Sequence, residues 1–344
     1  MDDVRISEVL AGEDAWIIGG AVRDFLLGRP VLDIDVACRE PKAAAKRFAN
    51  RFGGAPFPLS ERHGAWRVVT QGVEETVDFT PLPSGIDADL LTRDFTFNAI
   101  AAPVGGGDLH DPHGGRTDLE AGLVRAVSES VFRDDPLRLL RAVRLEDELG
   151  FRMDEPTEEL VRESAARAAE PAGERVLGEL RRLSPAGYRR LDELGLLEEL
   201  GGDLGGPLDE LDNPDFRLVA VFGERLRAFP ISRELRRYAT VLLRARRPDD
   251  ASARAIHRFR RATEPWALDA LVFLDAGELR DEVEQARRVQ PREPLVRGDE
   301  LGLAPGPEIG RILAIIEEER AVGAVTTRAE ALALGRSLVE ESGS

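Results

Sequence analysis

The spacing of apolar positions along this chain changes about a third of the way through its 344 residues. In the first part, strand and helix signals are mixed. Ala15–Ile18 is a short apolar run that stops at Gly19-Gly20, residues 21–28 read as the start of a helix, and Val31–Ala37 alternates as a half-buried strand does. Pro41 opens an alanine-rich helix that ends at Gly53-Gly54. Ala65–Thr70 and Glu75–Thr80 are β-branched runs joined by a glycine-containing turn, and residues 95–104 give another apolar strand. From about residue 117 the period is helical almost to the end. Pro156, Pro171, Pro185, Gly201-Gly202, Pro214, Pro248, Pro291 and Pro305-Gly306-Pro307 punctuate it. The pattern predicts an α+β fold, a small mixed-sheet head followed by helices, with chemistry in the head and substrate gripping in the helices.

Two features of the head carry chemistry. Asp33 and Asp35 lie two apart on the predicted strand, so their carboxylates share one face beside Leu32, Ile34 and Val36. Like charges so close repel unless a divalent cation lies between them. A third carboxylate from a neighbouring strand would complete a two-metal site, and Asp78 in Thr76-Val-Asp-Phe-Thr80 is the candidate. The other feature is Gly19-Gly20 ahead of a helix, which lets backbone N–H groups approach a phosphate, with Arg23 one turn inside to add a fork of donors. Carboxylates placed to hold metal beside a phosphate-binding turn point to nucleotidyl transfer.

Composition narrows the alternatives. Lys42 and Lys46 are the only lysines and neither follows a glycine, which excludes a Walker A loop, and no Gly-x-Gly-x-x-Gly follows a strand. There is no apolar run of about eighteen residues, and Met1-Asp-Asp-Val-Arg5 lacks the basic and apolar regions of a secretion signal. Cys38 is the single cysteine, which rules out a disulfide framework; the expected compartment is the cytoplasm. The net charge of −17 argues at first against a nucleic-acid partner. Residues 225–261 reverse that inference locally, with twelve arginines against Glu234, Asp249 and Asp250.

The run Ile18-Gly-Gly-Ala-Val-Arg-Asp-Phe-Leu-Leu-Gly-Arg-Pro-x-x-Asp-Ile-Asp35 resembles the opening motif of class II tRNA nucleotidyltransferases (CCA-adding enzymes) and bacterial poly(A) polymerases, of the polymerase-β-like superfamily. Further similar segments follow in order: Arg93-Asp-Phe-Thr-Phe-Asn-Ala99, Asp111-Pro-x-Gly-Gly-x-x-Asp-Leu119, Phe132-Arg-Asp-Asp-Pro-Leu-Arg-Leu-Leu-Arg-Ala-Val-Arg144 and Glu174-Arg-Val-x-x-Glu-Leu180. Gly298-Asp-Glu-Leu301 and Pro305-Gly-Pro-x-x-Gly310 look like tail segments of such proteins. The resemblance implies a polymerase-β-like head over 1–116, a helical neck with a base-reading helix over 117–185, a helical body over 186–262 and a helical tail over 263–344. It implies that Asp33 and Asp35 bind two Mg2+ ions, with Asp78 as the third catalytic acid. Gly19, Gly20 and Arg23 would hold the triphosphate, and Arg93, Asp94 and Asn98 would meet triphosphate and ribose. Asp135 and Arg138 would read the incoming base, with Arg141 and Arg144 on the same helix stripe. A carboxylate can accept from the exocyclic amine of cytosine or adenine while a guanidinium donates to ring acceptors, so the protein acts as its own template.

The sequence departs from that pattern in two places. Asp134 stands where Glu is usual, one methylene shorter. Only the fourteen residues Phe79–Thr92 separate Asp78 from Arg93, none of them Lys or Arg, whereas relatives that add all three nucleotides carry a longer loop with a basic element. In this respect the chain is similar to enzymes that add only C. The partners implied are a tRNA 3′ end with CTP, and ATP if A is added, with Arg236, Arg237, Arg258 and Arg261 meeting RNA phosphates. The rival readings are a poly(A) polymerase and a catalytically silent RNA-binding relative. His110-Asp111 with His113 reads as a turn rather than a metal site, His63 as a turn residue or a lining of the head cleft, and Trp16, Trp66 and Trp266 as core.

Overall fold

The computed structural model describes residues 3–60, 64–70, 75–289, 293–303 and 306–342, so His63, the turn at 71–74, Pro291 and Pro305 lie outside the described residues. The chain parts into two compact units, 1–201 and 202–344, at the Gly201-Gly202 pair. The expected borders at 116/117 and 262/263 fall inside helices instead.

The first unit opens with α1 (Val4–Leu10), β1 (Ala15–Ile18), α2 (Gly20–Leu26), β2 (Asp33–Cys38), α3 (Pro41–Phe52), β3 (Ala55–Ser60), β4 (Ala65–Val69), β5 (Thr76–Pro81), α4 (Ile86–Leu91) and β6 (Ala101–Pro103). The six strands form one sheet in the order β3-β4-β5-β2-β1-β6. β2 and β5 run parallel and every other pair is antiparallel, the mixed sheet that the sequence predicts. The pleat sorts β2 onto two faces. Ile34, Val36 and Cys38 join Ile17, Val68, Val77 and Phe79 in a core closed by Ile6 and Leu10 of α1 and Phe48 of α3. Asp33 and Asp35 alternate with them and project from the opposite face.

The predicted strand over 95–104 is mostly something else. Thr96–Asn98 form a 3₁₀ turn and only Ala101–Pro103 pair with β1. Side chains take this segment out of the ladder: Asp94 accepts from the Phe95 N–H at 2.8 Å, and the Thr96 hydroxyl donates to Asp118 at 2.7 Å. The helices α1 and α4 and the strand β3 were not legible in the apolar pattern, being short or proline-bearing.

Helices then take over: α5 (Gly115–Ala121), α6 (Val131–Asp134), α7 (Leu137–Leu149), α8 (Glu155–Glu163), α9 (Gly173–Leu180), α10 (Pro185–Glu193) and α11 (Leu196–Glu199). A two-stranded parallel sheet interrupts them, β7 (Leu123–Val124) with β8 (Arg152–Met153). The motif Asp111-Pro-x-Gly-Gly has a structural purpose. Asp111 accepts from the N–H groups of Gly115 and Arg116 at 2.7 and 3.0 Å and so caps α5. Gly115 touches the 3₁₀ turn so closely that a Cβ there would lie 2.1 Å from the Thr96 carbonyl oxygen.

The second unit holds α12 (Pro214–Phe222), α13 (Arg233–Arg244), α14 (Ala253–Thr263), α15 (Ala267–Phe273), α16 (Arg280–Val289), α17 (Pro307–Ala321) and α18 (Arg328–Ser342). Pro156, Pro185, Pro214 and Pro307 each occupy the first or second position of a helix, where the missing N–H costs nothing. Among the described residues no helix is long and apolar enough to cross a membrane.

Gly115→Ala is expected to lower unfolding stability by ~1–3 kcal/mol in urea titration, since backbone must move to admit the methyl group. Gly178→Ala, inside α9 with open space around it, is expected to be neutral or to add up to ~1 kcal/mol.

Candidate active site

A cavity of about 160 Å³ opens on the charged face of the sheet. Nine of the residues singled out in the sequence line it: Gly19, Gly20, Asp35, Arg93, Asp94, Asn98, Asp135, Arg138 and Arg141; Leu137 and Arg175 complete the wall. A larger cavity of about 300 Å³ lies in the second unit between α14, α16 and α17, and holds none of the motif residues.

Gly19 caps α2 at φ 70°, a left-handed conformation that favours glycine, and no side chain satisfies the helix's first N–H groups. A Cβ at Gly19 would sit 3.4 Å from an Asp35 carboxylate oxygen and 3.7 Å from Arg93 Nη1, so the missing side chain keeps backbone, acid and guanidinium within one small volume. Asp35 is pushed above the ordinary carboxylate range by burial and by its acidic neighbours Asp78 and Asp33, against the pull of Arg93 and Arg141. Asp33 is exposed at the rim and accepts from the Thr76 hydroxyl at 2.5 Å.

Asp94 is the buried acid of the site, 7 % exposed. Burial opposes its charge, but Arg141 at 2.6 Å, the Asn98 amide at 2.9 Å and the Phe95 N–H at 2.8 Å outweigh it and hold its carboxyl below the ordinary value. Asn98 in turn accepts from Arg23 Nη1 at 3.0 Å. Arg93 grips Asp89 of α4 at 2.6 Å while its other side faces the cavity. Arg138 donates to the Thr92 carbonyl at 2.6 Å, fastening α7 to the head. Asp135 accepts from the Leu137 N–H at 3.2 Å and from both ends of the Arg175 guanidinium, at 2.7 and 3.4 Å.

Four expectations need adjustment. Arg23 does not line the cavity; Asp24 takes its Nε and Nη2 at 2.9 Å each and Asn98 takes Nη1, which leaves it supporting the site from behind. Arg144 is 4 % exposed and ion-paired to Glu148 and Glu179 at 2.5 Å each, so it braces α7 against α9 and is not part of the cavity wall. Asp78 stands in register with Asp35, yet Arg67 of β4 takes both its oxygens at 2.7 Å. Among the described residues, accordingly, no three His, Cys, Asp or Glu side chains converge as a metal cluster.

The last adjustment concerns the arginine block. Arg254 and Arg258 pair with Glu318 and Glu319 of α17, and their hydrogen bonds, Arg258 foremost, pull the Glu318 carboxyl down to about 2. Arg260 pairs with Glu264, Arg247 with Glu278, and Arg237 stacks 5.3 Å from the Trp266 ring centre. Arg236 and Arg261 are exposed. The free positive charge is therefore smaller than the local count. His110 meets Asp87 at 2.6 Å, in keeping with a structural role, and Cys38 is fully buried.

Sequence reasoning did not single out Arg67, Asp89 or Arg175. Arg175 does lie inside the Glu174–Leu180 motif, the one signal that could have found it.

The sheet, the glycine turn and the paired acids on β2 define a nucleotidyltransferase head. Residues 15–84 and 69–125 match the model of the poly A polymerase head domain. Over 95 % of this chain and 96 % of the relative, the sequence is 34 % identical to an A-adding tRNA nucleotidyltransferase of Deinococcus radiodurans. A CC-adding tRNA nucleotidyltransferase of Thermus thermophilus is 32 % identical over 93 % of both chains. Among solved structures, the Bacillus stearothermophilus CCA-adding enzyme in complex with CTP superimposes with a TM-score of 0.77 at 26 % identity over 98 % of both chains. The chain belongs to the tRNA nucleotidyltransferase and poly(A) polymerase family, and it is a nucleotidyltransferase.

Two tests follow from the geometry. Arg144→Met is expected to cost ~3 kcal/mol or more of stability, because Glu179 loses its partner, while nucleoside triphosphate affinity is unchanged; Arg141→Met is expected to weaken that affinity at least ~10-fold by equilibrium dialysis. Acid behaviour separates Asp94 from Asp35. Asp94, whose folded pKa is depressed, contributes stability above the ordinary carboxylate range that is lost as pH falls through its folded value; Asp94→Asn lowers Tm at pH 7. Asp35 has the opposite sign, so Asp35→Asn raises Tm at pH 7 without divalent cations, a gain that fades on acidification in pH-resolved melts.

Proposed function

We propose that this chain adds two cytidylate residues to tRNA 3′ ends from CTP and then stops. The observation that carries the reading is the segment between Asp78 and Arg93. It finishes β5 and then forms the short helix α4, with Leu90 fully buried, Asp89 on Arg93 and Asp87 on His110, and it contains no basic residue. An anchored acidic helix stands where three-nucleotide enzymes would need a longer basic loop.

Asp33 and Asp35 are the residues that would hold Mg2+. They are hard oxygen donors on one face, and the burial and acidic neighbours that raise Asp35 are both offset by a cation. Two carboxylates without a third fit this ion, which in nucleotide sites takes one or two carboxylates together with substrate phosphates. When bound, Mg2+ supplies activation of the attacking hydroxyl and stabilisation of charge on the phosphates. The N–H groups at Gly19-Gly20 and the Arg93 guanidinium cradle the triphosphate, and Asp94 with Asn98 meets the ribose. The tRNA terminal hydroxyl attacks the α-phosphate in line and pyrophosphate leaves. Asp135 accepts from the cytosine amine and Arg138 donates to the ring acceptors, while Arg175 keeps Asp135 aimed. Exposed Arg236 and Arg261 would meet RNA phosphates, and a tRNA substrate places the work in the cytoplasm.

A addition is the second reading, favoured by similarity to the Deinococcus radiodurans enzyme along nearly the whole chain. The deciding experiment offers purified protein three tRNAs, ending at the discriminator base, at C and at CC, with CTP, ATP or both. Growth to CC and no further supports the proposal, with Asp33→Ala abolishing incorporation but not tRNA binding. ATP incorporation confined to the CC-ending tRNA would replace it by A addition, and repeated A addition to any RNA by poly(A) synthesis.

A further inference from the structure

Arg67 lies on the face of the sheet that carries the acids, at the end of a row running across three neighbouring strands. β4 pairs with β5 so that Arg67 faces Asp78, and β5 pairs with β2 so that Asp78 faces Asp35. Residues directly opposite on paired strands bring their side chains within about 5 Å of each other. Without a cation on β4, Asp33, Asp35 and Asp78 would crowd three negative charges into one corner. Arg67 prevents this with a two-point grip, Nε to one oxygen and Nη2 to the other at 2.7 Å each. Charge-assisted bidentate pairs of this kind are the strong ones, and this one is shielded on the acid's side, Asp78 being 8 % exposed.

We infer that Arg67 is a positioning residue that withholds Asp78 from the catalytic ion, so that the protein offers this ion two carboxylates, Asp33 and Asp35, and leaves the remaining positions to nucleotide phosphates. The inference rests on the reading of Asp33 and Asp35 as the metal-holding pair. It assigns Asp78 a different role from theirs although all three acids face the same side. It also predicts an enzyme that binds its ion weakly until nucleotide arrives, because two carboxylates make an incomplete set for a six-coordinate cation. The pair holds β4 against β5 at the edge of the site in the same stroke.

The test is Mn2+ binding to the full chain, without nucleotide, followed by electron paramagnetic resonance. Asp33→Asn and Asp35→Asn are each expected to weaken binding more than ~10-fold, whereas Asp78→Asn changes it by no more than ~3-fold. Arg67→Lys keeps the positive charge but cannot span both oxygens, so a tightening of ~5-fold or more reports a freed carboxylate oxygen rather than a lost cation. Arg67→Gln is expected to tighten binding further, and Arg67→Gln combined with Asp78→Asn to return to the wild-type value. If Asp78→Asn weakens Mn2+ as much as Asp35→Asn, or if both folded Arg67 variants bind as wild type does, the inference is overturned. Wild-type binding in Asp33→Asn and Asp35→Asn would instead overturn the metal reading beneath it. Should Arg67→Gln not fold, Arg67→Lys and Asp78→Asn decide the matter between them.

Discussion

The site is organised around one buried charge. Asp94 sits where burial alone would keep its carboxyl neutral, and a charge taken out of water persists only if donors converge on it. The charge and the donors that do so, an ion pair from Arg141 among them, come from separate parts of the first unit. Arg141 arrives from α7, Asn98 from the 3₁₀ turn, and Asn98 itself is oriented by Arg23 of α2, the helix that Gly19 begins. The Asp94 carbonyl also accepts from the Val127 N–H at 3.1 Å, fixing the chain that leads to α6. Satisfying this one carboxylate therefore ties the helix of the glycine turn and the candidate base-reading helix to the same cavity.

Around that centre, three acids each have an arginine as counterion: Arg67 for Asp78, Arg141 for Asp94, Arg175 for Asp135. Among the described residues Asp33, met by the Thr76 hydroxyl, and Asp35 have no such arginine, and Asp35 is raised above its ordinary range by burial and by its acidic neighbours. Under the proposed function this has a reason: a site that receives a triphosphate with its cation leaves two carboxylates underpaired, since the ligand completes the balance on arrival. The chain's preference for arginine suits this arrangement, because a planar fork can close on a carboxylate at two points where an ammonium meets it at one.

What could be read ahead of the structure was local. The alternation at Asp33-Ile-Asp35, the paired glycines before α2 and the prolines that begin helices each act within a few residues, where pleat, left-handed backbone and a missing N–H leave a direct mark. The region 95–104 misled because its apolar residues suit a strand, while Asp94 and Asp118, one adjacent and one over twenty residues on, bend it into a turn. The arginine block misled for a related reason. Its acids were counted within the block, and Glu264, Glu278, Glu318 and Glu319, which neutralise much of it, all lie beyond its last residue. Arg144 shared a helix stripe with Arg138 and Arg141, but its neighbours on α9 and one turn along α7 are glutamates.

The sequence by itself determined which chemical groups exist and how neighbours along the chain are spaced: two acids on one strand face, a phosphate-sized glycine turn, a helix carrying Asp135 and Arg138 at its start. These follow from backbone geometry, which repeats over two to four residues and needs no distant partner. Only the tertiary structure decided which charges remain available for a ligand. Much of the ion pairing depends on strand register and helix packing between residues far apart in the chain, eleven positions for Arg67 with Asp78 and sixty-five for Arg254 with Glu319. In the low dielectric of a buried pair, that pairing determines whether an acid or an arginine can still meet a substrate.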